Sequence, residues 1–208
     1  MLVFLVLAIF VGGPLVATGV AGEFLLGLFF SLLLLSGVVA ISRRRVLAIL
    51  TLVLVLATFG VRWTGRWSPG STLDVWYTAL SMACLFILMV LVLVQVFREG
   101  PVTAHRIQGA IVAYLLAGLI WANAYELLYG AMPGAFRLPE AASGAQPVRH
   151  WFAYFSFVTL TTLGYGDITP VHPLARSLAI GEALFGQLYP AILIARLVSM
   201  ELESRQRH

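Results

Sequence analysis

Six apolar runs, at about 1–21, 24–41, 46–61, 73–97, 105–129 and 174–200, take up most of the 208 residues. A helix needs roughly 20 consecutive apolar residues to cross the hydrocarbon core of a bilayer, and five of the runs approach or exceed that; the third is the shortest. With 61% of residues hydrophobic and 11% charged, the chain lacks the polar surface that a water-soluble body requires. The breaks between runs are short and polar or glycine-containing: Gly19 to Glu23, Arg43 to Arg45, Arg62 to Thr72, and Arg98 to Pro101. One longer stretch, Gly130 to Arg149, follows the fifth run. The expected fold class is all-α integral membrane, with six transmembrane helices.

The formal charge is +4, and all 13 basic residues are arginine. They lie singly or in the one cluster Arg43-Arg44-Arg45, with no stripe or groove, so nucleic acid is not an expected partner. That cluster is expected to face the cytoplasm. Counting spans outward from it places both termini, Arg98, Arg106 and Arg196 inside, and Gly130 to Arg149 outside. The first run lacks the positive segment that precedes the apolar core of a secretory signal, so a retained helix is expected. Cys84, the single cysteine, is expected to be a buried, inert thiol. The sequence holds no close Ser/His pair, paired carboxylates or metal-ligand cluster, so neither an enzyme nor a cofactor is expected.

Between the fifth and sixth runs, His150 to Leu163 carries Trp151, Tyr154, Phe155 and Val158 at helical spacing. This helix is too short to cross a bilayer. It leads into Thr161-Thr162-Leu163-Gly164-Tyr165-Gly166-Asp167, a glycine-containing extended segment. A short helix followed by such a segment is a re-entrant element. Irregular backbone at membrane depth is tolerated only where protein buries it or where it lines a water-filled path. This run resembles the selectivity filter of the tetrameric potassium channel family, over a matching region of about 149–200. The six-helix bacterial subunits of that family carry one pore loop.

The resemblance implies a potassium-selective passive channel that conducts as a homotetramer, since one chain supplies one filter strand. Backbone carbonyls of Thr162, Leu163, Gly164 and Tyr165, with the Thr162 hydroxyl and Gly166 closing the segment, are the implied potassium ligands; potassium is then a permeant ligand. Gly164 and Gly166, lacking a Cβ, are free to take left-handed dihedrals that turn carbonyls inward. The filter-supporting residues implied are Tyr154, Phe155 and Asp167. Phe155 has no hydrogen-bond donor where the family often has tryptophan. Leu163 stands for the more frequent valine, and Val158 stands where some members carry a glutamate. The Leu163 and Phe155 departures leave open a weakly selective monovalent cation channel; the other alternative, from a different class, is a potassium-uptake transporter subunit. The latter class usually carries several pore loops in one chain.

The last run resembles the family's pore-lining inner helix. Gly186 falls at its hinge position, and Pro190, four residues on, clashes with the carbonyl of residue 186 in a straight helix, so a bend is expected. Pro190, Ile194 and Val198 share a face, the candidate cavity lining. Glu182 is an acid at membrane depth, where such groups mark function, and a hydrogen-bonded, protonated state is one reading of it. Glu126, at the outer end of the fifth run, is expected to be solvated. The fourth run contains no arginine repeat, so the front helices are not expected to sense voltage. The expected organisation is a four-helix membrane domain over 1–104, a pore domain over 105–200 (outer helix, pore helix, filter, inner helix) and a short cytoplasmic tail over 201–208. A prokaryotic inner membrane, with lipid as a partner, is the expected location.

Overall fold

A computed structural model describes residues 2, 3, 5–7, 72–98, 103–140 and 148–206. The second and third apolar runs and most of the first lie outside the described residues. Four helices and two short strands make up the rest. Helix α1 spans Thr72–Val96, α2 spans Ala104–Ala131, strand β1 is Phe136–Arg137, α3 is Val148–Leu160, β2 is Thr169–Pro170, and α4 runs Pro173–Gln206.

Among the described residues, three segments are long and apolar enough to cross a membrane: Val75–Val96, Ala104–Ala131 and Pro173–Met200. At about 1.5 Å per residue the shortest reaches ~33 Å, enough for the hydrocarbon core. The 13 residues of α3 reach only ~20 Å. The short helix therefore begins two residues earlier than the sequence predicts and ends three earlier, at Leu160.

Helix α1 packs on α2, α2 on α3, and α3 on α4. Small residues set how closely they approach. Gly109 on α2 sits where an added Cβ would lie 3.0 Å from Val96 Cγ2. Gly118 sits under the Phe157 ring, 2.6 Å from where its Cβ would stand. Two apolar cores result. One joins Cys84, Leu85 and Leu88 of α1 to Val112 and Leu116 of α2, with Leu5 against them. Cys84 is buried there as a free thiol.

The second core is aromatic and joins α2, β1 and α3 to the start of α4. Tyr125 of α2, Phe136 of β1, and Phe152 and Phe155 of α3 pack with Ile168 and Ala175. Tyr125 meets Phe155 edge-on with ring centres 5.0 Å apart, and Phe136 meets Phe152 the same way at 5.0 Å. Edge-to-face contacts add to the burial of these rings. Strands β1 and β2 pair antiparallel, Phe136 opposite Pro170 and Arg137 opposite Thr169. The Ala135 carbonyl also accepts the amides of Val171 and His172 at 2.8 and 3.1 Å. Gly134, at φ +86°, makes the turn that brings this carbonyl round. The chain that leaves α2 is thus fastened to the chain that enters α4.

Candidate functional site

Helix α3 ends in a particular hydrogen-bond pattern. The Leu163 amide donates to the Val158 carbonyl at 2.9 Å, and the Thr162 amide donates to the Thr159 carbonyl at 2.9 Å. These are the paired bonds of a Schellman cap, whose penultimate residue sits in the left-handed region and is usually glycine. Here it is Thr162, at φ +60°. A left-handed β-branched residue costs about 1–2 kcal/mol. The Thr161 hydroxyl donates to the Phe157 carbonyl at 2.6 Å, satisfying one more carbonyl of the last turn.

Beyond the cap the handedness alternates. Gly164 has φ +57° and Gly166 has φ +80°, while Leu163 and Tyr165 keep negative φ. An added Cβ at Gly164 or Gly166 would meet nothing within 4 Å, so these glycines answer to backbone conformation and not to crowding. All of 161–167 is exposed in the single chain, including the large side chains of Leu163 (59%) and Tyr165 (67%). The Asp167 carboxylate faces the Tyr154 hydroxyl and accepts the Ile168 amide at 3.1 Å. Phe155, by contrast, is buried, with Tyr125 and Phe136 as its ring partners.

Helix α4 passes through Gly186 and Pro190 as one continuous helix. A Cβ on Gly186 would stand 1.9 Å from the Leu160 carbonyl oxygen and 2.8 Å from the carbonyl carbon. Gly186 is therefore where α4 crosses the end of α3 in backbone contact. The same Leu160 carbonyl accepts the Tyr114 hydroxyl at 3.1 Å. Tyr114 stacks on Tyr189, whose hydroxyl returns to the Ala110 carbonyl at 2.9 Å. Pro190 is half-buried, and Ile194 and Val198 are exposed.

Glu182 is fully buried. Tyr125 Oη lies 2.5 Å from its Oε2 and Ser156 Oγ lies 2.5 Å from its Oε1. Ser156 Oγ is also 2.6 Å from the Gly118 carbonyl. The acid thus stands where α2, α3 and α4 meet. A second polar cluster lies at the start of α3. Arg149 Nε donates to Glu126 at 2.9 Å and its Nη2 donates to Thr78 Oγ1 at 3.2 Å. Its guanidinium carbon sits 4.7 Å from the Tyr77 ring centre. Glu126, expected to be solvated, keeps a partly exposed side chain and is also the ion-pair partner of Arg149. Sequence reasoning also passed over Ser156, Tyr125 and Tyr114. A lone serine in the aromatic face of α3 was the only local signal. Among the described residues no three His, Cys, Asp or Glu side chains gather as a metal site.

Residues 149–203, which hold α3 from its second residue, the filter-like segment and most of α4, match a family model described as an ion channel. Over 96 residues the chain is 36% identical to two pore potassium channel c of Oryza sativa subsp. japonica, covering 46% of this chain and 19% of that protein. Over 45 residues it is 49% identical to protein LctB of Geobacillus stearothermophilus, covering 22% of this chain and 33% of that protein. Protein LctB of Bacillus caldotenax matches over the same length at 47% identity. The chain spans between about a fifth and a third of the length of these curated relatives. No solved structure matches. Residues 149–203 are thus similar to an ion-channel domain, and part of the chain is similar to a potassium channel. With the three apolar helices, these similarities support a membrane protein.

Proposed function

We propose that this chain is one subunit of a potassium-selective passive channel, and that four copies surround a single pore. The observation that carries the reading is the alternation of left-handed φ at Thr162, Gly164 and Gly166. Residues of alternating handedness turn successive peptide groups the same way, so that like dipoles line one side of the strand. In this reading the carbonyls of Thr162, Leu163, Gly164 and Tyr165, with the Thr162 hydroxyl, are that side. Four such strands, closed by Gly166, form stacked oxygen cages for a dehydrated cation. The end of α3 adds the partial negative charge of a helix C-terminus.

Tyr154 and Asp167 are the proposed outer fastening of the strand. Phe155 supports it only through the aromatic core, because its ring has no donor to offer. Ile194 and Val198, with Pro190, are the proposed cavity lining below Gly186. Residues 105–200 form the proposed pore domain, 1–104 a four-helix membrane domain and 201–208 the tail. The protein is proposed to be multi-pass in a cell membrane of prokaryotic inner-membrane type, lipid-bound, with both termini cytoplasmic.

Reconstitution in liposomes with opposed potassium and sodium gradients tests the reading. The reversal potential is expected to follow potassium, and the detergent-corrected mass to equal four chains. A reversal potential that follows sodium as readily would refute selectivity and favour the weakly selective cation channel, for which Leu163 and Phe155 are the relevant departures.

A further inference from the structure

Three oxygen–oxygen contacts of 2.5–2.6 Å run in series through Glu182: Tyr125 Oη to Oε2, Oε1 to Ser156 Oγ, and Ser156 Oγ to the Gly118 carbonyl. At these separations each pair of oxygens must hold a proton between them. A tyrosine hydroxyl and a serine hydroxyl supply one each, and a carbonyl supplies none. Two protons do not fill three contacts. We propose that Glu182 is a positioning residue held as the neutral acid, whose own proton on Oε1 is donated to Ser156 and locks the short helix α3 to α2 and α4. Ser156 is then free to donate to Gly118, and Tyr125 donates to Oε2. Placing the acid proton on Oε2 instead leaves Ser156 with one hydrogen for two acceptors, so the Oε1 arrangement is the one that satisfies every contact.

The surroundings agree. From α2 the titratable groups facing Glu182 are Tyr125 and Tyr114, and Tyr114 has committed its hydroxyl to the Leu160 carbonyl. From α3 the facing polar group is Ser156, which does not titrate in water. Arg149 pairs with Glu126, and among the described residues no cation pairs with Glu182. A carboxylate there would be a buried charge without a counter-charge, which is the costly case.

The lock bears on the filter through two residues of helix. Ser156 precedes Val158, whose carbonyl receives the amides of both Leu163 and Gly164. When the Oε1 proton is lost to solvent, Oε1 and the Gly118 carbonyl contend for the single Ser156 hydrogen. One short contact then becomes a repulsion between two lone pairs, and α3 is released from α2 or from α4. The effect on conduction rests on the potassium-channel reading; the proton count does not.

The test uses the full-length protein in potassium-loaded liposomes, with infrared difference spectra and potassium efflux recorded from neutral to alkaline pH. Wild type is compared with Glu182→Gln and Glu182→Ala. Glutamine supplies a carbonyl acceptor and an N–H donor at fixed charge, with one extra N–H, so it stands in for the neutral acid at every pH. The expected wild-type spectrum at neutral pH contains a protonated-carboxyl stretch that Glu182→Gln lacks and that fades as pH rises. Efflux is expected to fall about tenfold over the same interval, the loss from one buried hydrogen bond left unmade. Glu182→Gln is expected to keep neutral-pH efflux within about twofold and to show no such step, with Glu182→Ala about tenfold lower throughout. Absence of the acid band at neutral pH overturns the proposal. So does a Glu182→Gln protein as impaired as Glu182→Ala, or one that retains the wild-type pH step. If Glu182→Ala does not assemble, wild type against Glu182→Gln decides. If the wild type passes no potassium, the channel reading fails, and the infrared band alone still upholds or overturns the neutral acid.

Discussion

Replacing Gly186 with alanine separates two accounts of that glycine. If it serves as a hinge, alanine removes flexibility and improves helix propensity by about 1 kcal/mol, and the protein gains thermal stability. The structure assigns it a different task. The new Cβ would stand 1.9 Å from the Leu160 carbonyl oxygen, about 1.5 Å short of ordinary contact. The obstacle is backbone, and the Tyr114 hydroxyl also holds it, so no rotamer change relieves the clash. Overpacking of this kind costs about 1–3 kcal/mol, with the rigid partner pointing to the upper end. After the propensity gain, a net loss of about 2 kcal/mol is expected. For a chain of this size that corresponds to a fall in Tm of roughly 4–8 °C. Because Leu160 directly precedes Thr161, the displaced carbonyl also moves the base of the proposed filter segment, so potassium flux should fall as well. Gly181→Ala is the control. Its Cβ meets Trp121 at 3.5 Å, an ordinary contact, so it should be neutral or slightly stabilising. Thermal unfolding in detergent and flux in liposomes, measured on the same preparations, decide the matter. A Gly186→Ala protein at least as stable as wild type, with unchanged flux, would refute the packing argument.

Gly164→Ala should abolish potassium flux while leaving insertion and helix content intact: its φ of +57° opposes a Cβ although the space is open, at a cost of about 1–2 kcal/mol. Circular dichroism beside flux checks this, and retained flux would count against the filter assignment. Arg149 and Glu126 are 38% and 26% exposed, so a double-mutant cycle on stability should give a coupling of no more than about 1 kcal/mol; a larger value would mean the pair is far better shielded from water than its exposure implies. Open probability should depend weakly on voltage, because no arginine lies between residues 73 and 97. Single-channel recordings in symmetrical potassium check it, and a slope requiring many elementary charges would show that the front helices sense voltage.

What was readable in the sequence is what local chemistry enforces. The three described spans follow from apolar runs, and the left-handed φ of Gly164 and Gly166 follows from their missing Cβ. The left-handed φ of Thr162 was not readable, since a β-branched residue is ordinarily excluded from that region. It takes the Schellman bonds closed at Val158 and Thr159 to hold it there. Glu182 stood out as a deep acid, but its partners lie 26 and 57 residues away and only the packing of three helices brings them together. The pairing of Glu126 was unreadable for the same reason: Arg149 comes within reach only once α3 folds back against α2.

Two classes of exposed surface call for different covers. Helix α4 exposes Ile180, Leu184, Leu188 and Ile192, and hydrocarbon would cover these well, because every amide inside a helix is already satisfied. The segment 163–167 is different: it is exposed along its whole length and is neither helix nor strand. At membrane depth such backbone cannot face lipid, since unpaired peptide groups there cost several kcal/mol each. It must meet protein on one side and water or ions on the other. The aromatic core, the Gly186 crossing and the Glu182 contacts all brace α3, which leads into that exposed segment. Further copies of the same chain, completing a ring around the strand's open side, supply the missing surroundings in the proposed tetramer.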